Sequence, residues 1–345
     1  MTRSLGVRQH IRRRVFIPFG LTLLGVIGAA CLAILWQKHH CVCEKLDTRL
    51  AIVANLLQAE FDEQAELMRG LVDFLEEDPQ LRDAWLAGDR EKLLERSQSL
   101  FEDVCSKYRV THFYFHDLEK VCFLRVHNPP QFGDPIDRHT LTQAADTGER
   151  THGLELGPFG TFTLRAVCPW RIDGRLAGYI ELGQGIRHIP PKLEGVLGAD
   201  LHFAVDKSFL DRAKWEEGLK MTGQTGQWDL AEDLVFIDRV RGDVPPQIIG
   251  RLNAVHFGRT GWEFDYPEGS RTYRCGVIPL AEVGGRNVGH IVTLLDISES
   301  VAAQNSLLLG MFGIGVVLVG LLASLSWTHL GRVQCEVDDA HRELE

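Results

Sequence analysis

With 345 residues, 45% of them hydrophobic and 24% charged, the chain has the composition of an ordinary globular protein and length for roughly two domains. Its formal net charge of -10 argues against a nucleic-acid partner, which a basic face would serve. The charge is unevenly spread, and that unevenness bears on topology.

The chain starts with Arg3, Arg8, Arg12, Arg13 and Arg14 and has no acid among them. An uncharged run follows, Val15–Trp36 (VFIPFGLTLLGVIGAACLAILW), and a second lies at Ser306–Trp327 (SLLLGMFGIGVVLVGLLASLSW). About 20 apolar residues span a hydrocarbon core, and the Trp that closes each run suits the interface. Arginines resist translocation, so the pattern predicts two membrane-spanning helices, both termini in the cytoplasm, and residues from about 38 to 304 outside. A cleaved signal peptide fits less well, because the first run exceeds the usual apolar region and no A-x-A-like site follows it. Arg13-Arg14-Val15-Phe16-Ile17 has some twin-arginine character and Gly28-Ala29-Ala30-Cys31 some lipoprotein-box character, but Leu32–Trp36 stays apolar beyond Cys31.

From about Val42 to Glu77 the spacing predicts one long helix, roughly 50 Å at 1.5 Å per residue. Leu46, Leu50, Val53, Leu57, Leu67, Leu71 and Phe74 form a coiled-coil-like seam with Glu60 and Gln64 in its middle, and Pro79 closes the helix. Two readings of the seam stand: packing on its own domain, or a homodimer seam between two copies. A helical stretch, Arg90–Lys107, leads to a hairpin of Thr111–His116 and Val121–His127, whose residues alternate. Asn128–Asp134 (NPPQFGD) reads as a loop, and Ile136–Thr147 as a short helix. Gly160–Trp170 and Leu176–Leu182 read as strands joined through Asp173-Gly174. The second half follows the same logic, with strands at Leu201–Val205 and Leu234–Val240 around a helix at Ser208–Leu219. A meander of Trp262–Tyr266, Thr272–Pro279 and Val288–Leu295 completes it. The expected fold class is α+β: two antiparallel-sheet lobes and a long helix between the membrane helices.

This layout resembles the double-Cache extracytoplasmic sensor domains of bacterial two-component histidine kinases and chemoreceptors. The stretches Phe123–Pro129, Gly133-Asp134 with Arg138, and Gly174–Gly183 carry the local resemblance, which extends over about residues 40 to 300. It implies two PAS-like lobes, small-molecule sensing in the membrane-distal lobe, and helix movement carried across the membrane. The organisation expected is therefore a cytoplasmic N-terminus (1–14), a transmembrane helix (15–36), a helical stalk (37–106), a distal lobe (107–190), a proximal lobe (191–304), a transmembrane helix (305–327) and a cytoplasmic tail (328–345). The implied location is the bacterial inner membrane, multi-pass, with a periplasmic domain. The Arg-x-Trp-Tyr run of the amino-acid-sensing branch is missing, so an amino-acid ligand is not supported.

Strand alternation places Phe123, Arg125 and His127 on one face of their strand, opposite Cys122, Leu124 and Val126. Thr163 and Arg165 share a face of theirs. Guanidinium forks bind carboxylates in bidentate fashion, so Arg125, His127, Arg165 and Thr163, walled by Trp170 and Tyr114, suit a small organic anion. The competing reading is a wet sheet face on which these residues pair with Asp117, Asp134 or Glu181.

Other chemistry finds little support. His39-His40-Cys41-x-Cys43 lacks zinc spacing, and no C-x-x-C-H, H-E-x-x-H, G-x-S-x-G or phosphate loop occurs. No cofactor, metal or catalytic residue is expected, and the pairing of the cysteines cannot be read. Thr328–Glu345 is too short for a kinase, cyclase or methyl-accepting module, so a cytoplasmic output module or partner is expected. The alternative function is a membrane-anchored interaction protein whose outer part binds another protein.

Overall fold

The computed structural model describes residues 50–237, 244–253 and 262–342, with seven further residues between Thr22 and Ala33, all of them helical. Most of the first predicted span and the His39–Cys43 cluster lie outside the described residues. Residues 49–296 form one compact unit.

Helix α1 (residues 50–76) opens that unit. It buries Val53, Leu57, Phe61, Ala65, Met68, Val72 and Leu75. That stripe follows the 3.6-residue period of a straight helix, whereas the predicted seam kept a 3.5-residue repeat; the two drift apart along the helix. Leu67 and Phe74 are accordingly 37% and 78% exposed. The polar middle of the seam has partners within the domain: Lys192 Nζ donates to Glu60 at 2.6 Å, and Gln184 Nε2 lies 3.4 Å from Gln64 Oε1. Pro79 ends α1 and also begins a helix that the sequence pattern did not announce, α2 (Pro79–Leu86). Proline is favoured at a first helical position, and Asp78 caps the new helix by accepting from Gln80 N and Leu81 N. Helix α3 (Arg90–Tyr108) follows.

Two sheets follow, called distal and proximal only after the lobes expected from the sequence; the distal sheet holds β1 (His112–His116), β2 (Cys122–Arg125), β3 (Thr151–Leu156), β4 (Phe162–Ile172) and β5 (Arg175–Gly185), with helix α4 (His139–Thr147) after β2. The order across the sheet is β2-β1-β5-β4-β3, every pair antiparallel. Asp173 and Gly174 join β4 to β5 with φ of 51° and 80°, the left-handed pair of a tight hairpin turn. Helices α1 to α3 cover one face, where Phe113, Phe115, Leu124, Leu164, Ala166, Cys168 and Trp170 are buried. Trp85 of α2 sits in that core 5.0 Å from Phe123 and 5.5 Å from Trp170, ring centre to ring centre. On the other face Tyr114, Cys122, Ile136, Leu141, Ala144, Val167 and Tyr179 pack together under α4.

The proximal sheet holds β6 (Ala199–Asp206), β7 (Leu234–Phe236), β8 (Trp262–Glu268), β9 (Arg271–Ala281) and β10 (Asn287–Asp296). Its order, β7-β6-β10-β9-β8, repeats that of the distal sheet strand for strand. Helices α5 (Ile189–Leu197), α6 (Arg212–Thr222) and α7 (Pro246–Asn253) accompany it. Of these only α6 was expected.

Helix α8 (Ser298–Arg342) lies outside the compact unit. Among the described residues it is the one helix long and apolar enough to cross a membrane, with a mean hydropathy of 2.4 over the most apolar 18 residues of Ser298–His329. It contains the second predicted span, and Leu309, Phe312, Ile314, Val317 and Leu321 on it are exposed.

Candidate functional site

Charged side chains enter the α4 side of the distal sheet from β2, β3, β4, β5 and the segment leading into α4. Their centre is Glu181 of β5, fully buried. Arg138 Nη1 donates to its Oε1 at 2.7 Å, Arg165 Nη1 binds the same oxygen, and His116 Nε2 lies 2.9 Å from Oε2. Burial opposes ionisation of this carboxyl, but Arg138 and Arg165, with the His116 hydrogen bond, hold it well below the usual carboxylate range. Arg165 also lies 3.1 Å, through Nε, from Glu155 Oε2. The other oxygen of Glu155 accepts from Thr140 N and Thr140 Oγ1 at 2.9 and 3.0 Å.

A second fork sits beside the first. Arg125 donates to both oxygens of Asp134 at 2.7 and 2.6 Å, and to Gln131 O at 2.8 Å. It therefore pins the loop 128–134 to the sheet. Asp134 is half-exposed, and its carboxyl is held below the ordinary range chiefly by the Arg125 hydrogen bonds. Tyr114 lies between the two forks: Arg125 and Arg138 approach its ring at 5.6 and 4.8 Å, and Arg138 Nη2 is 3.3 Å from its hydroxyl. His112, His116 and His127 surround the same ring at 6.2, 5.4 and 4.7 Å. Burial, reinforced by Arg165, pushes His112 down to about 3, and burial with Arg125 nearby pushes His127 down to about 4, so both rings are neutral. His116 Nδ1 is buried without a hydrogen-bond partner among the described residues.

A family model described as the double sensory domain of two-component sensor kinase, dCache_3, matches residues 43–224, more than half of the chain. The chain belongs to this family. The match takes in α1, the whole distal lobe and the proximal lobe through α6. Solved structures similar to this chain include the sensor domain of the Vibrio cholerae histidine kinase DctB, with a TM-score of 0.43 and 12% identity over 75% of this chain and 98% of that one. The periplasmic domain of Vibrio cholerae LuxQ is similar at a TM-score of 0.42 and 12% identity, over 71% of this chain and 98% of that one. The ligand-binding domain of the Pseudomonas aeruginosa amino-acid chemoreceptor PctC, in complex with GABA, is similar at 0.38 and 12%, over 71% and 96%. No curated protein matches in sequence.

Within this double sensory domain the structure brings Tyr114, Arg125, His127, Thr163 and Arg165 to one region of the distal lobe. Thr163 is 2% exposed and Arg165 4%. His127 Nδ1 lies 3.2 Å from Phe113 N. Trp170 is placed elsewhere: it is buried in the core on the α1–α3 face, against Trp85 and Phe115. Side chains alternate along a strand, so Trp170 cannot share a face with Arg165 five residues earlier. Alternation also misplaced Cys122. A bulge between Phe115 and His116 pairs Cys122 with His116 and Arg125 with Tyr114, which turns Cys122 to the α4 side and leaves Phe123 against Trp85. Glu155, His112 and His116 were not anticipated as site residues. The two histidines were legible, because His112, Tyr114 and His116 alternate along one strand. Glu155 is hidden because Gly153 and Glu155 lower the strand propensity of Thr151–Leu156.

Proposed function

We propose that the chain is the sensory part of a membrane-bound receptor that takes a small organic anion on the α4 side of its distal lobe. In this reading the Val15–Trp36 segment and α8 cross the bacterial inner membrane, the lobes lie on the periplasmic side, and the signal passes to a cytoplasmic partner or module. Family membership supports the sensory role. A membrane position for α8 is supported by its length and by the apolar side chains exposed around it.

The observation that carries the ligand class is the Arg125–Asp134 fork. A half-exposed carboxylate occupies a bidentate guanidinium on the edge of a buried charge cluster. A ligand carboxylate offers the same geometry and exchanges with Asp134. That exchange releases loop 128–134 and gives the ligand different affinities for two states, which any shift in population requires. Tyr114, His127 and Arg138 line the approach, while Thr163 and Arg165 form the buried floor.

The test is a thermal-shift screen of the full chain in detergent against mono- and dicarboxylic acids of two to six carbons. An acid at a hundred times its dissociation constant adds about 2.7 kcal/mol of stability. A response lost in Arg125→Ala and weakened in Tyr114→Phe supports the site. A response that survives both changes removes the site, and no response from any acid removes the anion.

A further inference from the structure

Strand β3 is the last strand of the distal sheet, so among the described residues its outer edge has no strand beside it. The turn between β9 and β10 of the proximal lobe meets that edge instead. Val283 N donates to Leu154 O at 3.0 Å, and Leu156 N donates to Glu282 Oε1 at 2.7 Å. Arg286 grips the other oxygen, Glu282 Oε2, at 2.9 and 2.6 Å, which leaves Oε1 for β3. The approach requires a glycine on the strand: a Cβ on Gly153 would lie 2.3 Å from Val283 Cβ.

The residue between those two contacts is Glu155, whose carboxylate is in the charge cluster with Thr140 and Arg165. One three-residue stretch of β3 therefore touches the candidate ligand face with its middle side chain and the proximal lobe with its flanking backbone. The turn feeds β10, which runs on in sequence through Ile297 to α8.

We propose that the β9–β10 turn is a latch that couples the position of Glu155 to the stability of β10, the strand that leads into α8. The role in signalling rests on the ligand reading above; the coupling itself does not. Coupling free energies are reciprocal and are seen with or without a ligand when either end is perturbed.

The experiment is hydrogen exchange by mass spectrometry on the full chain in detergent, read on peptides covering β10. Glu155→Gln perturbs the distal end, and Thr140→Val is a milder version that removes one hydrogen bond to the same carboxylate. Each is made in the native background, with Glu282→Ala, which removes the acceptor for Leu156, and with Glu282→Gln, which keeps one. The expected result is about tenfold faster exchange in β10 from the distal change in the native and Glu282→Gln backgrounds, and little change with Glu282→Ala. Equal acceleration with and without the Glu282 acceptor, or none in any background, overturns the latch. A failed acid screen leaves this outcome untouched, so the two readings fail separately.

Discussion

Arg165 and Glu181, on neighbouring strands β4 and β5, form an ion pair whose side chains are only 5% and 0% exposed. Removing one member of such a pair leaves a charge stranded away from water, which costs about 3–5 kcal/mol. Glu181→Gln strands two guanidinium groups, Arg138 and Arg165, with Glu155 as the remaining buried carboxylate. A loss of about 3 kcal/mol or more is expected in chemical unfolding of the full chain. A loss below about 1 kcal/mol would show that the cluster is open to solvent. For the same reason Arg165→Ala is a poor probe of ligand binding: it perturbs folding first. Arg125, paired with a half-exposed partner, is the better probe.

Two glycines test the packing from opposite directions. A Cβ on Gly178 of β5 would lie 2.5 Å from His116 O and 2.6 Å from Trp85 Cζ2. Gly178→Ala is expected to destabilise by about 1–3 kcal/mol, the usual cost of overpacking. Gly195, inside α5, has nothing within 4 Å of its would-be Cβ and no positive φ. Gly195→Ala is expected to stabilise by about 0.4–1 kcal/mol by restricting the unfolded chain. Melting curves of the two variants that shift in the same direction would contradict this packing.

How far the sequence announced these features depends on which signal carried them. The β1 strand and the Asp173-Gly174 turn were legible, because alternation and turn chemistry are local. The matching strand orders of the two sheets were visible only as a loose repeat, since pairing order is a property of contacts distant in sequence. Strand β3 was hidden by its Gly153 and Glu155, residues that lower strand propensity. Both are explained only in three dimensions, one by Val283 and the other by Arg165. Helix α5 begins Ile-Pro-Pro, which reads as a breaker but is allowed in a first turn. Arg125 and Arg165 were found as candidates by residue type. Their carboxylate partners enter the sequence reading only as the competing possibility, and the structure shows that pairing: Arg125 with Asp134 and Arg165 with Glu181.

The cysteines give a chemical check on burial. Cys122, Cys168 and Cys275 are buried, and burial pushes their thiols up to about 11, 12 and 12. A thiol is reactive only as the thiolate. At pH 8, alkylation followed by peptide mass mapping should mark the exposed Cys105 and Cys335 in the native full chain. The three buried cysteines should be marked only after denaturant. Native labelling of Cys122 at the rate of Cys105 would mean that the α4 side of the distal sheet opens to water.

Acid should weaken the fold in a defined window. An imidazole in the unfolded chain protonates near 6.5, whereas His112 and His127 in the fold are held down to about 3 and about 4. Between those limits the unfolded chain binds more protons, so stability falls as pH falls, by up to about 1.4 kcal/mol per pH unit for each ring. His127 stops contributing to the slope below about 4 and His112 below about 3. The carboxylates of Glu181 and Asp134, also held low, add a loss of the same sign below their ordinary range. Unfolding of the full chain measured from pH 6.5 to pH 4.5 should therefore show a steady decline, and His112→Gln or His127→Gln should each flatten it. A slope unchanged in both variants would mean that neither ring is kept neutral beside Tyr114. The organic acid proposed as ligand should then be screened near pH 8, where both rings are neutral in folded and unfolded chains and stabilisation by the ligand is not masked by loss of the fold.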